Sequence, residues 1–544
     1  RPAPPSAALS DLLLRLFLAF GREALLDLNG SYAIAIWEAQ PGRLTLLKDR
    51  FGTANLYYWQ DAHRLVFASE YKAIAAHPAF SGSIDEVALA DFMLYDQTNG
   101  DRTLFRQIRS VLPSAGVTFQ DGQAQVFEHW SLPVGQYAGA NRSAADLAEE
   151  WAHRVREAVR REIFAGTCLL VTAGLDSRLL AASYQQVAPG VELQTTTIGV
   201  QGCREAQVGR QVAQTLGYPH DHIPLDTTYF ARNAALAAWR GEGKLSAFGS
   251  WIYQQEPYLL ENGLRYAMTG IIGNVISGRS FPPALAQART EEQGVSVLLG
   301  VVNRRVGWLK EIMRPEIFAS AVQASLDDRV LAFRRSAAED LYGCYDEMYL
   351  RMTVARYAIK DVVFGDAATA LDPFLDKDLV NFSLSIPPNL RAGGRLYRQM
   401  IVTHFPRVAS IIDGRTGRPI RVDHWMDAHP LLLKADRLTR RAYRRMFREK
   451  TVHDVGACVP QNEAIRTGSR AFVLEVLAAE SYLSEYFDMA AVNRCLDDHL
   501  AGRRNLFPLI SGLVTFSLWR QQFTGGALAD WLPGAPEPAE TKSH

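Results

Sequence analysis

The 544-residue sequence is short of cysteine, of net charge and of long apolar runs, and each shortage excludes a class of protein. Its five cysteines are odd in number and lack the close pairs of a zinc site or a disulfide framework. They are Cys168, Cys203, Cys344, Cys458 and Cys495. Basic and acidic residues number 58 each, so no overall field draws the chain to nucleic acid or anionic lipid. With no apolar run that spans a bilayer and no evident signal peptide, the sequence predicts a reduced, cytoplasmic protein without a transmembrane segment.

The chain is too long for a single hydrophobic core, so we expect two domains. Hydrophobic residues make up 48% and charged residues 21%, which is ordinary globular composition. The sequence opens with Arg1 rather than Met, and this indicates a fragment of a longer protein. At the other end, the composition of residues 531–544 predicts a disordered tail.

The first part of the chain has the pattern of antiparallel strands. Runs at 31–38, 43–50 and 64–70 are rich in aliphatic and aromatic residues, and turns that contain glycine or asparagine separate them. We expect a meander of strands in a first domain at 1–135, followed by a linker at 136–142.

The remaining residues, 143–530, are predicted to form a second domain in which strands and helices alternate. The continuous apolar run at 168–172 is typical of a buried parallel strand, and a second strand is expected at 193–200. Strand–helix–strand–helix order predicts a parallel sheet with right-handed crossovers. From about Gly241 onward the pattern is mainly helical.

A loop of small residues, VTAGLDSR from Val171 to Arg178, joins the first of these strands to a helix that we expect to begin at Arg178. Backbone N–H groups in such a loop approach an anion closely, and the helix N-terminus adds a favourable dipole. Phosphate or pyrophosphate is therefore the expected ligand of this loop. Asp176 is a candidate magnesium ligand, and Ser177 a candidate donor to a phosphate oxygen. The same pattern also occurs in capped α/β turns without a ligand, and neither a Walker loop nor a dinucleotide fingerprint is present.

The loop resembles the pyrophosphate loop, Ser-Gly-Gly-x-Asp-Ser, of the asparagine synthetase superfamily. It keeps Gly174, Asp176 and Ser177 and departs conservatively at the two preceding positions. The segments LNGSYAIAIWE, KDRFGTANLYYW and FASEYKAI resemble the later part of that family's amidotransferase domain, and PFLDKDLVNFSLSIPPNLR (373–391) resembles its C-terminal helical segment. The resemblance implies an α/β fold: a parallel-sheet ATP-pyrophosphatase domain, similar to adenine nucleotide α-hydrolases, with a helical C-terminal part. A partial antiparallel β domain of the class II glutamine amidotransferase type is implied to precede it.

An ATP site with Mg²⁺ follows from the same resemblance. The implied ATP-binding residues are Val171, Thr172, Ala173, Gly174, Leu175, Asp176, Ser177, Ile198, Thr269 and Gly270. The implied metal ligands are Asp176 and Asn274. The implied catalytic residues are Asp176, Ser177, Arg395 and Arg398.

Several positions depart from the family pattern. Where asparagine synthetases carry a Glu that assists attack on the acyl-adenylate, this chain has Ile271, which cannot move a proton. Asn274 takes the place of an Asp that helps to hold magnesium, so metal affinity should fall. Thr-Ala-Leu at 369–371 replaces Glu-x-Arg. Arg395 and Arg398 are the cations nearest to a missing lysine, and an arginine binds phosphate bidentately without titrating.

The glutamine-hydrolysing half is implied to be degenerate or truncated. Its chemistry needs an N-terminal Cys that its own α-amine activates. The resemblance has this chain starting partway into that domain. The segment in which the family holds the α-amine of glutamine with an Asp falls near Leu9 or Ser10, one residue short of Asp11.

The resemblance implies a carbon–nitrogen ligase that adenylates a carboxylate of a small molecule or peptide, transfers it to an amine and releases AMP and pyrophosphate. Arg178, the variant at Asn274 and the PPNLR ending are closer to the lasso-peptide cyclase branch, which forms macrolactams, than to glutamine-dependent asparagine biosynthesis. A second class stays open, a catalytically degenerate nucleotide-binding scaffold, because Ile271 and Asn274 lack the expected acids.

Three further patterns have ordinary explanations. Arginines cluster at 437–450 around an apolar stripe, which is typical of a solvated helix face and, alternatively, of a docking site for an acidic peptide, a partner or a membrane surface. His220 and His222 alternate along a short strand, where a structural role is favoured over a metal site. Arg415 and Arg418 lie in a turn-rich loop, either facing phosphate or in solvent.

Overall fold

Antiparallel sheets form the N-terminal part of the chain. The computed structural model describes residues 6–62, 64–354, 364–414, 417–422, 458–478 and 481–524. The strands of this part are β1 (Ala33–Glu38), β2 (Arg43–Lys48), β3 (Tyr57–Gln60), β4 (Leu65–Ala68), β5 (Arg109–Ser110), β6 (Ala115–Gln120) and β7 (Gln123–Glu128). They pair in the orders β1-β2-β6-β7 and β4-β3-β5. The accompanying α-helices are Ser6–Phe20, Glu23–Leu26, Tyr71–Ala75 and Glu86–Tyr95.

The strands divide between two sheets instead of forming one meander, and the buried Asp49 is the physical reason. Its carboxylate accepts backbone hydrogen bonds from Phe51 at 3.1 Å, from Thr53 at 3.0 Å and from Ala54 at 2.9 Å. Because these N–H groups are satisfied inside the turn, the chain leaves β2 and starts β3 in a new sheet.

A five-stranded parallel sheet is the centre of the second part. Its strands are β8 (Thr167–Leu170), β9 (Gln194–Gly199), β10 (His220–Pro224), β11 (Tyr266–Met268) and β12 (Thr369–Leu371). The order is β10-β9-β8-β11-β12, and every neighbouring pair is parallel. The chain runs outward from β8 in one direction and then returns to the other side of β8 with β11. The carboxyl ends of β8 and β11 therefore flank a topological switch point, where α/β sheets bind their ligands.

Helices pack on this sheet because each has one apolar face. The helix Ala144–Arg161 begins at Ser143, whose side chain accepts the Asp146 N–H at 3.1 Å, and it buries Trp151 among other apolar residues. Helices Leu175–Val187, Arg204–Leu216, Tyr229–Gly241 and Gln255–Glu261 follow in the chain. The predicted α/β fold class, with an antiparallel part ahead of a parallel sheet, is confirmed.

The rest is helical, as expected. Its α-helices are Gly273–Ile276, Glu291–Gly300, Asn303–Ile312, Pro315–Ile317, Gln323–Arg334, Leu341–Tyr349, Lys377–Leu384, Pro388–Arg391, Arg395–His404, Pro406–Ala409, Gln461–Arg466, Arg470–Ala478, Met489–Leu500 and Phe507–Phe523. Shorter 3₁₀ and π turns are Ala247–Gln254, Pro283–Gln287, Phe318–Val322, Leu350–Val354, Pro373–Leu375, Ala392–Gly394 and Ser481–Glu485. Within the described ranges, no helix has the length and apolar character needed to cross a membrane. The arginine cluster at 437–450, Arg415 and the tail at 531–544 lie outside these ranges.

The two parts share buried polar contacts. The carboxylate of Glu242 accepts the N–H groups of Tyr71 at 3.1 Å and Lys72 at 2.9 Å. On another face, Lys377 donates to the Asp27 carboxylate at 2.7 Å, beside the segment that leads out of β12. The antiparallel part thus contacts the parallel-sheet part close to the switch point.

Candidate functional site

The loop after β8 lies at this switch point. Gly174 is the N-cap of the helix Leu175–Val187, so the helix begins three residues earlier than the sequence pattern indicated. The extended backbone of Gly174 and the hydrogen bond from its N–H to Thr172 Oγ1, at 3.2 Å, explain the earlier start. Asp176 consequently lies in the first helical turn, where the N–H groups point outward and favour an anion.

Ser177 closes the loop from inside. Its hydroxyl oxygen accepts the Thr172 N–H at 3.0 Å and lies 3.3 Å from Thr172 Oγ1. Ser177 is 5% exposed, and the two hydroxyls form one polar cluster at the loop. A hydroxyl can donate as well as accept, so the cluster suits phosphate oxygens.

Arg178 fixes the shape of the loop. Its guanidinium, fully buried, donates to Ala173 O at 3.0 Å and to Gly174 O at 2.9 Å. It also donates to three carbonyls of a distant segment, those of Val408, Ile411 and Ile412, at 3.3, 3.0 and 2.9 Å. Burial lowers the pKa of Arg178 to about 10, so the group is still charged at neutral pH. A charged side chain that satisfies five carbonyls holds both segments together.

Asp176 is engaged by two residues that the sequence did not single out. Both carboxylate oxygens accept hydrogen bonds from Arg279, and Oδ1 also accepts the Tyr397 hydroxyl at 2.8 Å. The Arg279 guanidinium carbon lies 5.2 Å from the centroid of the Tyr397 ring. Burial opposes the charged form of Arg279, but the Asp176 carboxylate more than offsets it and raises the pKa of the guanidinium. Burial, reinforced by Asp176, holds the pKa of Tyr397 well above its usual range.

The segment after β11 closes over Asp176. Gly270 and Gly273 lie so near that added Cβ atoms would come 3.2 Å from Asp176 Cβ and 2.5 Å from its Cγ. Between them Ile272 has φ of +59°, a conformation that is strained for a β-branched residue. Backbone strain of this kind is retained where the surroundings enforce it, commonly at functional sites.

Thr269 ties this segment to the end of β12. Its hydroxyl donates to Asp372 Oδ1, and its N–H donates to Leu371 O at 2.9 Å. Asp372 is 2% exposed. The carboxyl ends of β11 and β12 are thereby held together on one side of the crevice.

Of the other predicted nucleotide residues, Val171, Ala173, Leu175 and Ile198 are buried. Val171 O accepts the Thr197 hydroxyl at 2.6 Å, which joins the ends of β8 and β9. Ile198 lies in β9 opposite Ile223 of β10. These apolar residues form a rigid floor beneath the loop.

The structure brings some remaining candidates to the site and leaves others at its edge. Arg395 and Arg398 lie at the start of the helix Arg395–His404, where Arg398 donates to Gly393 O at 2.7 Å. Gly394, which directly precedes this helix, packs against Arg279, because an added Cβ on Gly394 would come 2.4 Å from Arg279 Cγ. The side chain of Asn274 is exposed.

The loop that contains Arg418 packs against the pyrophosphate-type loop. Gly414 N–H donates to Ala173 O at 3.0 Å, and an added Cβ on Gly414 would come 2.4 Å from Ala173 Cβ. Asp413 N–H donates to Arg418 O at 2.7 Å. The sequence pattern predicted only a turn-rich loop here and did not indicate the contact with Ala173.

His220 and His222 face one side of β10, as predicted. His220 Nδ1 lies 3.0 Å from Thr195 Oγ1, and His222 Nε2 lies 3.0 Å from Gly199 O. Burial, with the charge of Arg210, lowers the pKa of His220 to about 4. These contacts favour the structural interpretation.

The residues at Asp176 do not offer a protein-held magnesium site as they stand. The Asp176 carboxylate already accepts from Arg279 and Tyr397. The main-chain carbonyl of Asn274 accepts the backbone N–H of Arg279 at 3.0 Å, and the Asn274 side chain is exposed. Among the residues that the structure covers, no three His, Cys, Asp or Glu side chains converge as metal ligands. The assignment of Asp176 and Asn274 to magnesium stays a prediction.

Comparison with known proteins gives two domain matches in chain order. The family model of the glutamine amidotransferase domain matches residues 6–130. The family model of asparagine synthase matches residues 150–253, which include the loop after β8 and the strand β9.

The individual relatives include two asparagine synthetases and an amidase. Asparagine synthetase [glutamine-hydrolyzing] 3 of Bacillus subtilis is 24% identical over 176 residues, which are 32% of this chain and 28% of the relative. Asparagine synthetase [glutamine-hydrolyzing] 1 of the same organism is 21% identical over 495 residues, 88% of this chain and 69% of the relative. Amidase chyE of Penicillium rubens is 22% identical over 251 residues, 43% of this chain and 37% of the relative. The match to the first of these spans less than a third of that relative. The two domain matches and these relatives, together with the loop at the switch point, support a similarity of this chain to the asparagine synthetase superfamily.

Proposed function

We propose that the chain is an ATP-dependent ligase that activates a carboxylate as an acyl-adenylate and transfers it to an amine. The observation that supports this best is the loop after β8, which presents Asp176 and Ser177 opposite Thr269 and Gly270 at the switch point. Such an arrangement suits a nucleotide that lies across the carboxyl ends of the strands. We assign the amidotransferase-like part to residues 1–135 and the ATP-binding part to 143–530.

The proposed reaction has two steps. A carboxylate oxygen attacks the α-phosphorus of ATP, and the bond to the β-phosphate breaks with loss of pyrophosphate. The amine nitrogen then attacks the acyl carbon, and AMP leaves with the electron pair of the acyl–oxygen bond. Ile271 has no titratable group, so the proton of the attacking amine passes to the leaving AMP or to water.

The chain's residues act on the first step by orientation and charge. The N–H groups of the first helical turn meet the departing phosphates, and Ser177 contributes its hydroxyl. Arg178 keeps that geometry because it fixes the carbonyls behind the loop. Holding reactants in line is worth a large part of such a barrier, since the adenylate is itself reactive. ATP is the proposed cofactor, and Mg²⁺ bound to the nucleotide supplies charge neutralisation when present.

The carboxylate and amine are proposed only by class. A small-molecule carboxylate or a peptide side chain fits the superfamily, and macrolactam formation is the peptide version of the same two steps. We propose further that glutamine hydrolysis is degenerate in this chain, because Leu9 and Ser10 stand near the position where the family holds the α-amine of glutamine with an Asp.

The test is release of AMP and pyrophosphate from ATP, measured with aspartate plus ammonia or glutamine and, separately, with candidate peptides. Asp176→Ala is expected to abolish release while leaving the far-ultraviolet circular dichroism close to that of the unmodified protein, although loss of the partner of the buried Arg279 lowers the melting temperature. Release that needs aspartate supports asparagine synthesis, and release that needs a peptide supports the cyclase proposal. Full activity of Asp176→Ala contradicts the assignment.

A second candidate function is a nucleotide-binding scaffold without turnover. The contact of Arg279 with Asp176 and the apolar Ile271 favour it, because both remove groups that move charge or protons. Saturable ATP binding without AMP release from any carboxylate would establish this alternative.

A further inference from the structure

Arg279 places a positive charge beside Asp176, in a site where Ile271 and Asn274 stand in place of two acids of the family pattern. We propose that Arg279 is the protein's own cation in the pyrophosphate pocket, where it bridges Asp176 and the leaving phosphates of ATP. The proposal deepens the ligase function and depends on it for its catalytic meaning. It assigns to a guanidinium the place that a protein-held metal ion would otherwise take.

The geometry of Arg279 fixes its guanidinium beside the loop. Nη2 donates to both oxygens of the Asp176 carboxylate, and Nε donates to Ser277 Oγ at 2.9 Å. The side chain is 9% exposed, and its guanidinium lies against the ring of Tyr397. Contacts with Asp176, Ser277 and the Tyr397 ring therefore fix the orientation of the guanidinium.

The remaining nitrogen is available to a ligand. A guanidinium has five N–H groups, of which two belong to Nη1. Among the described residues, Nη1 has no hydrogen-bond acceptor, although the side chain is nine-tenths buried. Nη1 is not among the fully buried side-chain atoms without a partner in the described ranges, so solvent or a ligand can reach it. The two N–H groups of Nη1 can donate to phosphate oxygens while Nε and Nη2 stay on Ser277 and Asp176.

The charges around Asp176 point to the same role. A bare carboxylate in the first turn would repel an incoming phosphate, and a metal ion normally bridges two such groups. Arg279 neutralises Asp176 directly, so the helix N-terminus and the loop N–H groups meet the phosphate without that repulsion. The close packing of Gly270 and Gly273 on Asp176 leaves the carboxylate no other orientation.

The first experiment measures binding of inorganic pyrophosphate by calorimetry in the presence of EDTA. The unmodified protein is expected to bind it without any divalent ion, and Arg279→Gln to bind at least tenfold more weakly. Asp176→Asn is expected to bind more tightly than the unmodified protein, because it releases Nη2 from the carboxylate. Arg334→Gln, which removes an exposed partner of Glu291, is the matched control and should bind like the unmodified protein.

The second experiment uses Mn²⁺ alone as a probe of Asp176, followed by electron paramagnetic resonance. Arg279→Gln frees the carboxylate, so Mn²⁺ binding should appear in this variant and disappear again in Arg279→Gln/Asp176→Asn. Mn²⁺ bound to the unmodified protein and lost in Asp176→Asn would overturn the proposal, as would pyrophosphate affinity that is indifferent to Arg279→Gln. Arg279→Lys keeps the charge but not the guanidinium, and its pyrophosphate affinity should lie between those of the unmodified protein and Arg279→Gln. This variant separates a folding defect from a binding defect.

The ligase function and the Arg279 anion site are distinguished by these measurements. If no carboxylate gives AMP but pyrophosphate binding follows the expected order, the ligase function is wrong and the Arg279 anion site stands. If AMP is released while Mn²⁺ binds at Asp176 of the unmodified protein, the ligase function stands and Arg279 is not its cation.

Discussion

Gly273 lies against Asp176 so closely that a Cβ atom at position 273 would come 2.5 Å from the carboxylate carbon. Gly273→Ala must therefore displace Asp176 or the strained segment before it. A displacement of about 1 Å at a reacting centre costs roughly 100-fold in rate, so we expect AMP release to fall by about that factor. Steady-state assays of AMP measure the change.

The control for this variant is the same substitution at Gly307, in the interior of the helix Asn303–Ile312. An added Cβ there has nothing within 4 Å. Gly307→Ala should keep full activity and stabilise the fold by up to about 1 kcal/mol through helix propensity. Equal activity of the two variants would contradict the proposed role of the contact between Gly273 and Asp176.

Arg178→Lys is expected to destabilise the protein by about 3 kcal/mol or more, because a lysine reaches fewer of the five carbonyls and leaves buried acceptors unsatisfied. Urea unfolding measures the loss, and ATP binding should weaken in parallel. Arg334→Lys, at an exposed pair, should change the free energy of unfolding by less than about 0.5 kcal/mol. A similar effect of both substitutions would show that Arg178 is not the link between the loop and residues 408–412.

Thr269→Val removes the hydroxyl that donates to Asp372 and keeps nearly the same volume. Because Asp372 is buried, loss of this donor should cost about 1–3 kcal/mol of stability and weaken ATP binding measured by calorimetry. Thr269→Ser retains the hydroxyl and should bind ATP like the unmodified protein. Equal ATP affinity of the valine and serine variants would rule out the hydrogen bond as a determinant of the site.

Two buried histidines predict sensitivity to acid. Burial is the main cause that lowers the pKa of His499 to about 4 and of His220 to about 4, whereas an unfolded histidine titrates near 6.5. Between pH 6.5 and 4, the unfolded chain therefore binds protons at these two histidines and the folded chain does not. The stability that these neutral histidines contribute is fully present above pH 6.5 and is lost as the pH falls toward 4.

His499→Asn tests this pH dependence. The Nδ1 atom of His499 accepts the Leu506 N–H at 2.9 Å, and an asparagine oxygen offers an acceptor at a similar position. The plot of unfolding free energy against pH should be shallower in the variant by about one proton between pH 6.5 and 4. An unchanged slope would assign the acid sensitivity to other groups.

Much of the fold followed from local patterns, and the failures have physical causes. Alternating strands and helices after Ser143 predicted the parallel sheet, because each segment's periodicity reports the face that it buries. The division of the N-terminal strands into two sheets depends on Asp49 accepting several N–H groups in one turn, which no periodicity reveals. The helix start was placed too late because Gly174 looked like part of the loop rather than a cap.

The site was partly visible in the same way. Gly174, Asp176 and Ser177 are contiguous in sequence, so the loop could be recognised from the residues alone. Arg279 is 103 residues from Asp176, and only the order of β8 and β11 in the sheet brings the two together. The available signal for Arg279 was Asn274, which stands in place of a metal-binding Asp. Weaker metal binding leaves room for a positively charged side chain near Asp176.

The hydrogen bonds of Arg178 also bear on the order in which parts of the chain fold during synthesis. Three of its five acceptors lie 230 to 234 residues further along the chain, at Val408, Ile411 and Ile412. A ribosome that has just completed the helix Leu175–Val187 has therefore produced a charged side chain whose burial is still uncompensated. Domains fold as their residues emerge, and contacts of such long sequence separation form last. The nascent chain is thus expected to acquire affinity for nucleotide only after residue 412 has left the exit tunnel.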